Sequence, residues 1–82
     1  MKTPRIRSAE PLDNHTLLVV FDNDEKRKYD VLPLLKNSVF EPLKSPAFFR
    51  SFSLEKGGYA IIWNKDIDIS EYELWRHGEV IP

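Results

Sequence analysis

Gly57-Gly58-Tyr59-Ala60-Ile61-Ile62-Trp63-Asn64-Lys65-Asp66-Ile67-Asp68-Ile69-Ser70 reads as a glycine turn, a buried strand, a polar corner and the start of a final helix. The run Tyr59 to Trp63 is apolar, β-branched and aromatic, which suits a strand buried on at least one face. Ser70-Glu71-Tyr72-Glu73 matches the capping box, a serine followed three residues later by a glutamate. Leu74 and Trp75 give the helix an apolar face, and Arg76 and His77 suit the negative end of its dipole. Gly78 is then a natural C′ residue; Val80 and Ile81 could pack back, but the tail is expected to fray.

Upstream of this stretch, Phe52 to Glu55 reads as a short strand turned by Lys56-Gly57-Gly58. Ser45 is an N-cap with Pro46 at the first helical position, opening a brief helix through Phe48, Phe49 and Arg50. Val39-Phe40-Glu41-Pro42-Leu43-Lys44 is an apolar connector, and Asp30 caps a short turn over Val31 to Lys36 that Asn37-Ser38 ends. Thr16-Leu17-Leu18-Val19-Val20-Phe21 is the strongest strand, and Lys26 to Val31 returns antiparallel to it. A three-residue loop Asn23-Asp24-Glu25 gathers Leu17, Val19, Phe21, Arg27, Tyr29 and Val31 on one face, whereas an even loop would set Lys26 and Lys28 among the apolar residues. The odd loop is therefore expected. Arg5 to Leu12 is a first strand whose apolar spacing, Ile6, Ala9 and Leu12, fits a bulge or an edge position.

The expected fold is a single α+β domain over residues 1–82, with a small antiparallel sheet and two or three short helices. Hydrophobic residues make up 41% of the chain and ten are aromatic, enough to give so short a domain a core. Twelve basic residues nearly balance thirteen acidic ones, so no global field draws in nucleic acid or an anionic membrane. With no cysteine, the chain has no disulfide framework, thiolate nucleophile or cysteine-ligated zinc. Met1 to Arg7 lacks an apolar run, so no signal peptide is expected, and the protein reads as cytoplasmic and soluble.

The chain resembles the small bacterial family catalogued as domain of unknown function 2442. The residues that carry this are Ile6 through Leu12, Leu17-Leu18-Val19, Phe21-Asp22-Asn23, Tyr29-Asp30-Val31 and Pro33-Leu34-Leu35, then Val39-Phe40, Pro42-Leu43, Phe48-Phe49, Gly57 to Asn64, Asp66 to Ser70 and Leu74-Trp75. Asp24 departs from the pattern, since the family often has glycine there; aspartate tolerates a positive φ better than most residues. The resemblance implies a small α+β domain with no established catalytic residue. It also implies that some members form one half of a toxin–antitoxin-like pair and that others carry an added helix-turn-helix domain, which this chain lacks.

No constellation in the chain carries chemistry. Asp66 and Asp68 with Asn64 lack the ligand number and glutamate of a calcium loop, and they read as a polar corner. His15 and His77 fall in a turn and at a helix end, with neither a partner histidine nor a carboxylate visible from sequence. Ser45, Ser51, Ser53 and Ser70 sit in cap and strand contexts, and Gly57-Gly58 lacks the spacing of a phosphate loop. Lys26-Arg27-Lys28 with Arg5 and Arg7 is split by strand alternation. Val39 to Phe49 covers the sheet as core, or in part forms a partner surface with Trp75 at its margin.

The expected function is a non-catalytic protein-interaction module, one partner of a toxin–antitoxin-like pair; the alternative is a nucleic-acid-binding regulator. No catalytic, cofactor-binding or metal-binding residue is assigned. An enzyme of this size would need a pocket at a dimer interface, with Glu41, Glu71, Glu73, Asp66 and Asp68 as the acids to watch. The partners this reading admits are a small protein or a second copy of the chain; nucleic acid is disfavoured for this chain alone, and no membrane is expected. Removing the final helix's cap by Ser70→Ala is expected to cost about 1 kcal/mol in a urea titration. An unchanged midpoint would show that the helix starts elsewhere.

Overall fold

A computed structural model describes residues 3–82. Met1 and Lys2, on which the expectation of no leader partly rests, lie outside the described residues. The strands divide between two antiparallel sheets. The first has the order β1-β2-β3-β7, from β1 (Ile6–Pro11), β2 (Thr16–Phe21), β3 (Lys26–Asp30) and β7 (Glu79–Ile81). The second has the order β4-β5-β6, from β4 (Ser53–Leu54), β5 (Ala60–Asn64) and β6 (Ile67–Ser70). Two short α-helices, α1 (Pro46–Phe49) and α2 (Glu71–His77), and two 3₁₀ segments (Leu32–Lys36 and Ser38–Lys44) complete an α+β fold.

The central hairpin keeps the expected faces with a shifted turn. Leu17 pairs with Tyr29 and Val19 with Arg27. Phe21 N–H donates to Glu25 O at 2.9 Å and Asp24 N–H to Phe21 O at 3.0 Å, so the three loop residues are Asp22-Asn23-Asp24 rather than Asn23-Asp24-Glu25. A shift of two in the pairing leaves every side chain on the same face. Asp24 takes the left-handed position, at φ 71°, that closes a three-residue loop. The first strand is an edge strand, and its register shifts between Ile6 and Ser8, which is the bulge its apolar spacing suggests.

Three expectations are corrected. The polar corner does not lead straight into the helix: Ile67–Ser70 forms β6, with Ile61 opposite Ile69, and Ile67 and Ile69 are buried while Asp68 and Ser70 are exposed. The tail is β7, paired to β3 through Lys26–Ile81, Arg27–Val80 and Lys28–Glu79. The apolar connector after Asn37 is a 3₁₀ helix, started by the Asn37 side chain accepting from Val39 N–H at 3.0 Å. The cap of α1 stands as expected, with Ser45 Oγ accepting from Phe48 N–H.

One core joins the two sheets. Leu17, Val19, Phe21, Tyr29 and Val31 meet Ile61, Trp63, Ile67 and Ile69, with Leu43, Phe49 and Leu74 from the helical segments. Val39 to Phe49 is therefore mainly a cover: Leu43 and Phe49 are buried, Phe40 and Phe48 pack against the core, and Val39 stays exposed. The sheets are also sewn at the backbone. Ile6 N–H donates to Gly58 O at 2.9 Å, and Gly58 has φ +76°, where a Cβ would lie 2.6 Å from Ile6 O. Only glycine fits both that conformation and that approach.

Trp63 is buried between Phe49 and Phe52, and its indole N–H donates to Phe49 O at 2.8 Å. Trp63→Ala removes the ring and leaves that carbonyl without its donor, so a denaturant titration should show a loss of about 3–5 kcal/mol. A loss near zero would refute the placement.

Candidate functional site

The residues singled out in the sequence are mostly occupied with holding the fold. Asn64 Oδ1 accepts from the N–H groups of Asp66 (2.8 Å) and Ile67 (2.9 Å), which makes the corner an Asx turn. Among the described residues no group of three or more metal-ligating side chains occurs. Ser45 and Ser70 cap helices, and Ser51 Oγ donates to Phe48 O. Each histidine does meet a carboxylate: His15 Nδ1 lies 3.0 Å from Asp30 Oδ1, and His77 Nδ1 lies 2.9 Å from Glu73 Oε1. Both imidazoles are exposed enough for solvent to screen these pairs.

Glu73 has a different role from the one its spacing implied. Ser70 Oγ accepts from Glu73 N–H at 3.1 Å, but the Glu73 carboxylate does not complete a capping box. Instead it accepts from the buried Tyr29 hydroxyl at 2.8 Å and meets His77 on its other oxygen. Burial first, and the adjacent Glu73 second, push the Tyr29 phenol above its ordinary value, so it stays a donor. This latch ties α2 to β3.

The basic residues do not pool. Arg7 pairs with Asp24 at 2.7 Å, and Arg5 lies over the Tyr59 ring at 3.9 Å with Glu71 at 3.4 Å. Lys26 and Lys28 are exposed on the opposite side of β3 from Arg27. Arg27 is the exception in kind. Its side chain is only 7% exposed. The guanidinium stacks over the Trp75 ring, 3.8 Å from its centroid. Nε donates to Trp75 O at 3.2 Å, and Nη1 donates to Glu25 Oε1 (3.2 Å) and Lys26 O (3.1 Å). Trp75 in turn sets its ring edge-on to Phe21, with centroids 5.2 Å apart.

A groove of about 410 Å³ opens above this pair. Arg27 and its cross-strand neighbour Val80 line it from the sheet, Tyr72, Trp75 and Arg76 from α2, and Thr3 from the N-terminal segment. The three α2 residues lie at positions i, i+3 and i+4 of one helix face. Gly78 closes the corner between α2 and β7. Its φ is −73°, so it ends the helix in extended rather than left-handed backbone; a Cβ there would lie 2.5 Å from Leu74 O and 2.8 Å from Arg27 Cβ. Tyr72 and Val80 are 55% and 62% exposed. Beside the groove, β7 is the last strand of its sheet, and among the described residues no strand pairs with its outer edge.

Sequence reading placed Arg27 on the apolar face and Trp75 on the helix's apolar side. It missed Tyr72, Arg76 and Val80. The available signal was the Tyr72, Trp75, Arg76 spacing, which asks what an aromatic and cationic helix face is for. Trp75 also borders this groove, and none of the groove's lining comes from Val39 to Phe49.

The family model described as a protein of unknown function, DUF2442, matches residues 6–79. The chain belongs to that family. No curated protein and no solved structure matches the chain. The DUF2442 match runs from the first residue of β1 to the first of β7, and so takes in Arg27, Tyr72, Trp75 and Arg76. Among the described residues no helix is long and apolar enough to cross a membrane.

Proposed function

We propose that the chain is a non-catalytic protein-interaction module whose partner docks in the groove of Arg27, Tyr72, Trp75, Arg76 and Val80. The groove is the observation that carries this reading. Tryptophan, tyrosine and arginine are the side chains that anchor protein interfaces, and here they converge beside a strand edge that no described strand pairs. The setting we propose is cytoplasmic, with one small protein as partner in a toxin–antitoxin-like pair, as the family resemblance implies for some members. Nucleic-acid binding has less support, because Arg5, Arg7 and Arg27 each face a carboxylate.

The test is a pull-down of the tagged full chain from native lysate, with and without nuclease, compared with a Tyr72→Ala/Val80→Ala variant. Both side chains are exposed, so the variant should fold normally. The reading predicts a stoichiometric small protein that survives nuclease and falls about tenfold or more in the variant. A partner lost on nuclease treatment would favour the nucleic-acid alternative. No retained partner, or equal retention by both proteins, would contradict the proposal.

A further inference from the structure

Among the described residues the donors of Arg27 are not all used. Nε and Nη1 are committed to Trp75 O, Lys26 O and Glu25, but Nη2 has no acceptor among the described residues. It is not sealed off either: no buried side-chain nitrogen or oxygen among the described residues lacks a partner. Among the described residues Nη2 is thus left without an acceptor, and Arg27 is one of the residues that line the groove. A guanidinium pinned on three sides and stacked on an indole loses little freedom when it makes one more hydrogen bond. Arg76 lines the same groove, and among the described residues it makes no ion pair and no carboxylate lines the groove. The Tyr29–Glu73–His77 cleft, by contrast, is lined by three acids, Asp30, Glu73 and Glu79. Arg76 is thus the cation of the groove that no carboxylate pairs among the described residues, set in aromatic walls beside a guanidinium that Glu25 already pairs.

Resting on the interaction reading above, we propose that the groove takes an acidic side chain from an extended segment of the partner, laid along the outer edge of β7. Among the described residues the edge offers unpaired backbone groups, which an extended segment satisfies and a helix does not. Cross-strand neighbours share a face, so a partner residue opposite Val80 points to the side where Arg27 and the groove lie. Two strand spacings, roughly 9–10 Å, then separate its backbone from β3, a gap that an arginine and a glutamate reaching toward each other can span. Tyr72 and Trp75 line the groove and offer aromatic surface to the stems of the pair.

The test uses a displayed library of random nonapeptides fused at both ends, so that no free carboxylate terminus is present, selected against the full chain. Enriched peptides are expected to share one aspartate or glutamate within a β-branched run. Changing that acid to its amide should weaken binding about tenfold or more. Arg76→Gln, at an exposed position, should weaken it roughly two- to fivefold. Arg27→Gln should abolish the peptide's preference for the acid over its amide, with folding checked by the ¹⁵N–¹H spectrum. If Arg27→Gln fails to fold, the acid-to-amide change combined with Arg76→Gln serves instead, and additive losses would overturn the proposal. Enriched peptides without an acid, or acid-dependent binders that need a free C-terminal carboxylate in a second library, would also overturn it. Those two results leave the interaction reading standing when the pull-down partner still depends on Tyr72 and Val80.

Discussion

A cation buried on the core-side face of β3 has to be neutralised where it sits, and Arg27 is that cation. A charged group taken out of water costs several kcal/mol unless its neighbours replace the lost hydration. Here the replacement comes from four directions: the face of Trp75, the carbonyls of Trp75 and Lys26, and the carboxylate of Glu25. Meeting those demands fixes much of the C-terminal third. The last turn of α2 presents Trp75 to β3, Gly78 lacks a side chain where a Cβ would meet Leu74 O and Arg27 Cβ, and β7 pairs with Arg27 at Val80. One residue thereby joins β3, α2 and β7, and the groove is the space left over where they meet.

The parts legible in the sequence were those set by local rules. Alternation in Thr16 to Phe21 and the odd loop fixed the faces of the hairpin, because side-chain parity survives a shift of two in register. Caps at Ser45 and Ser70 were readable because each serine sits three residues before the amide it caps. The rest needed contacts between distant residues. Ile67-Asp68-Ile69-Ser70 alternates as a strand should, but it is four residues long and runs straight into a capping signal that claimed its last residue. The three residues of β7 have no pattern that separates a strand from a frayed end. The division into two sheets depends on Gly58 meeting Ile6, and the neutralisation of Arg27 depends on Trp75, 48 residues away.

Comparing the two arginine–aromatic pairs explains why one of them marks a site. Arg5 stacks on Tyr59, as Arg27 does on Trp75, yet its two terminal nitrogens are taken up by Tyr59 Oη, Glu71 and Thr3 O in a more open setting. That pair helps tie the N-terminal segment to the second sheet. The Arg27 pair holds elements together with Nε and Nη1 and leaves Nη2 without an acceptor among the described residues. Structural and recognition chemistry thus share one guanidinium.

The central claim is that Arg27 is held rigidly over Trp75. A ¹⁵N–¹H spectrum of the arginine Nε–H groups tests it most directly. The account predicts one Nε–H resonance, assigned to Arg27, that is shifted upfield by the indole ring and protected from exchange with water. An Arg27 signal that exchanges and averages like those of the surface arginines would contradict it.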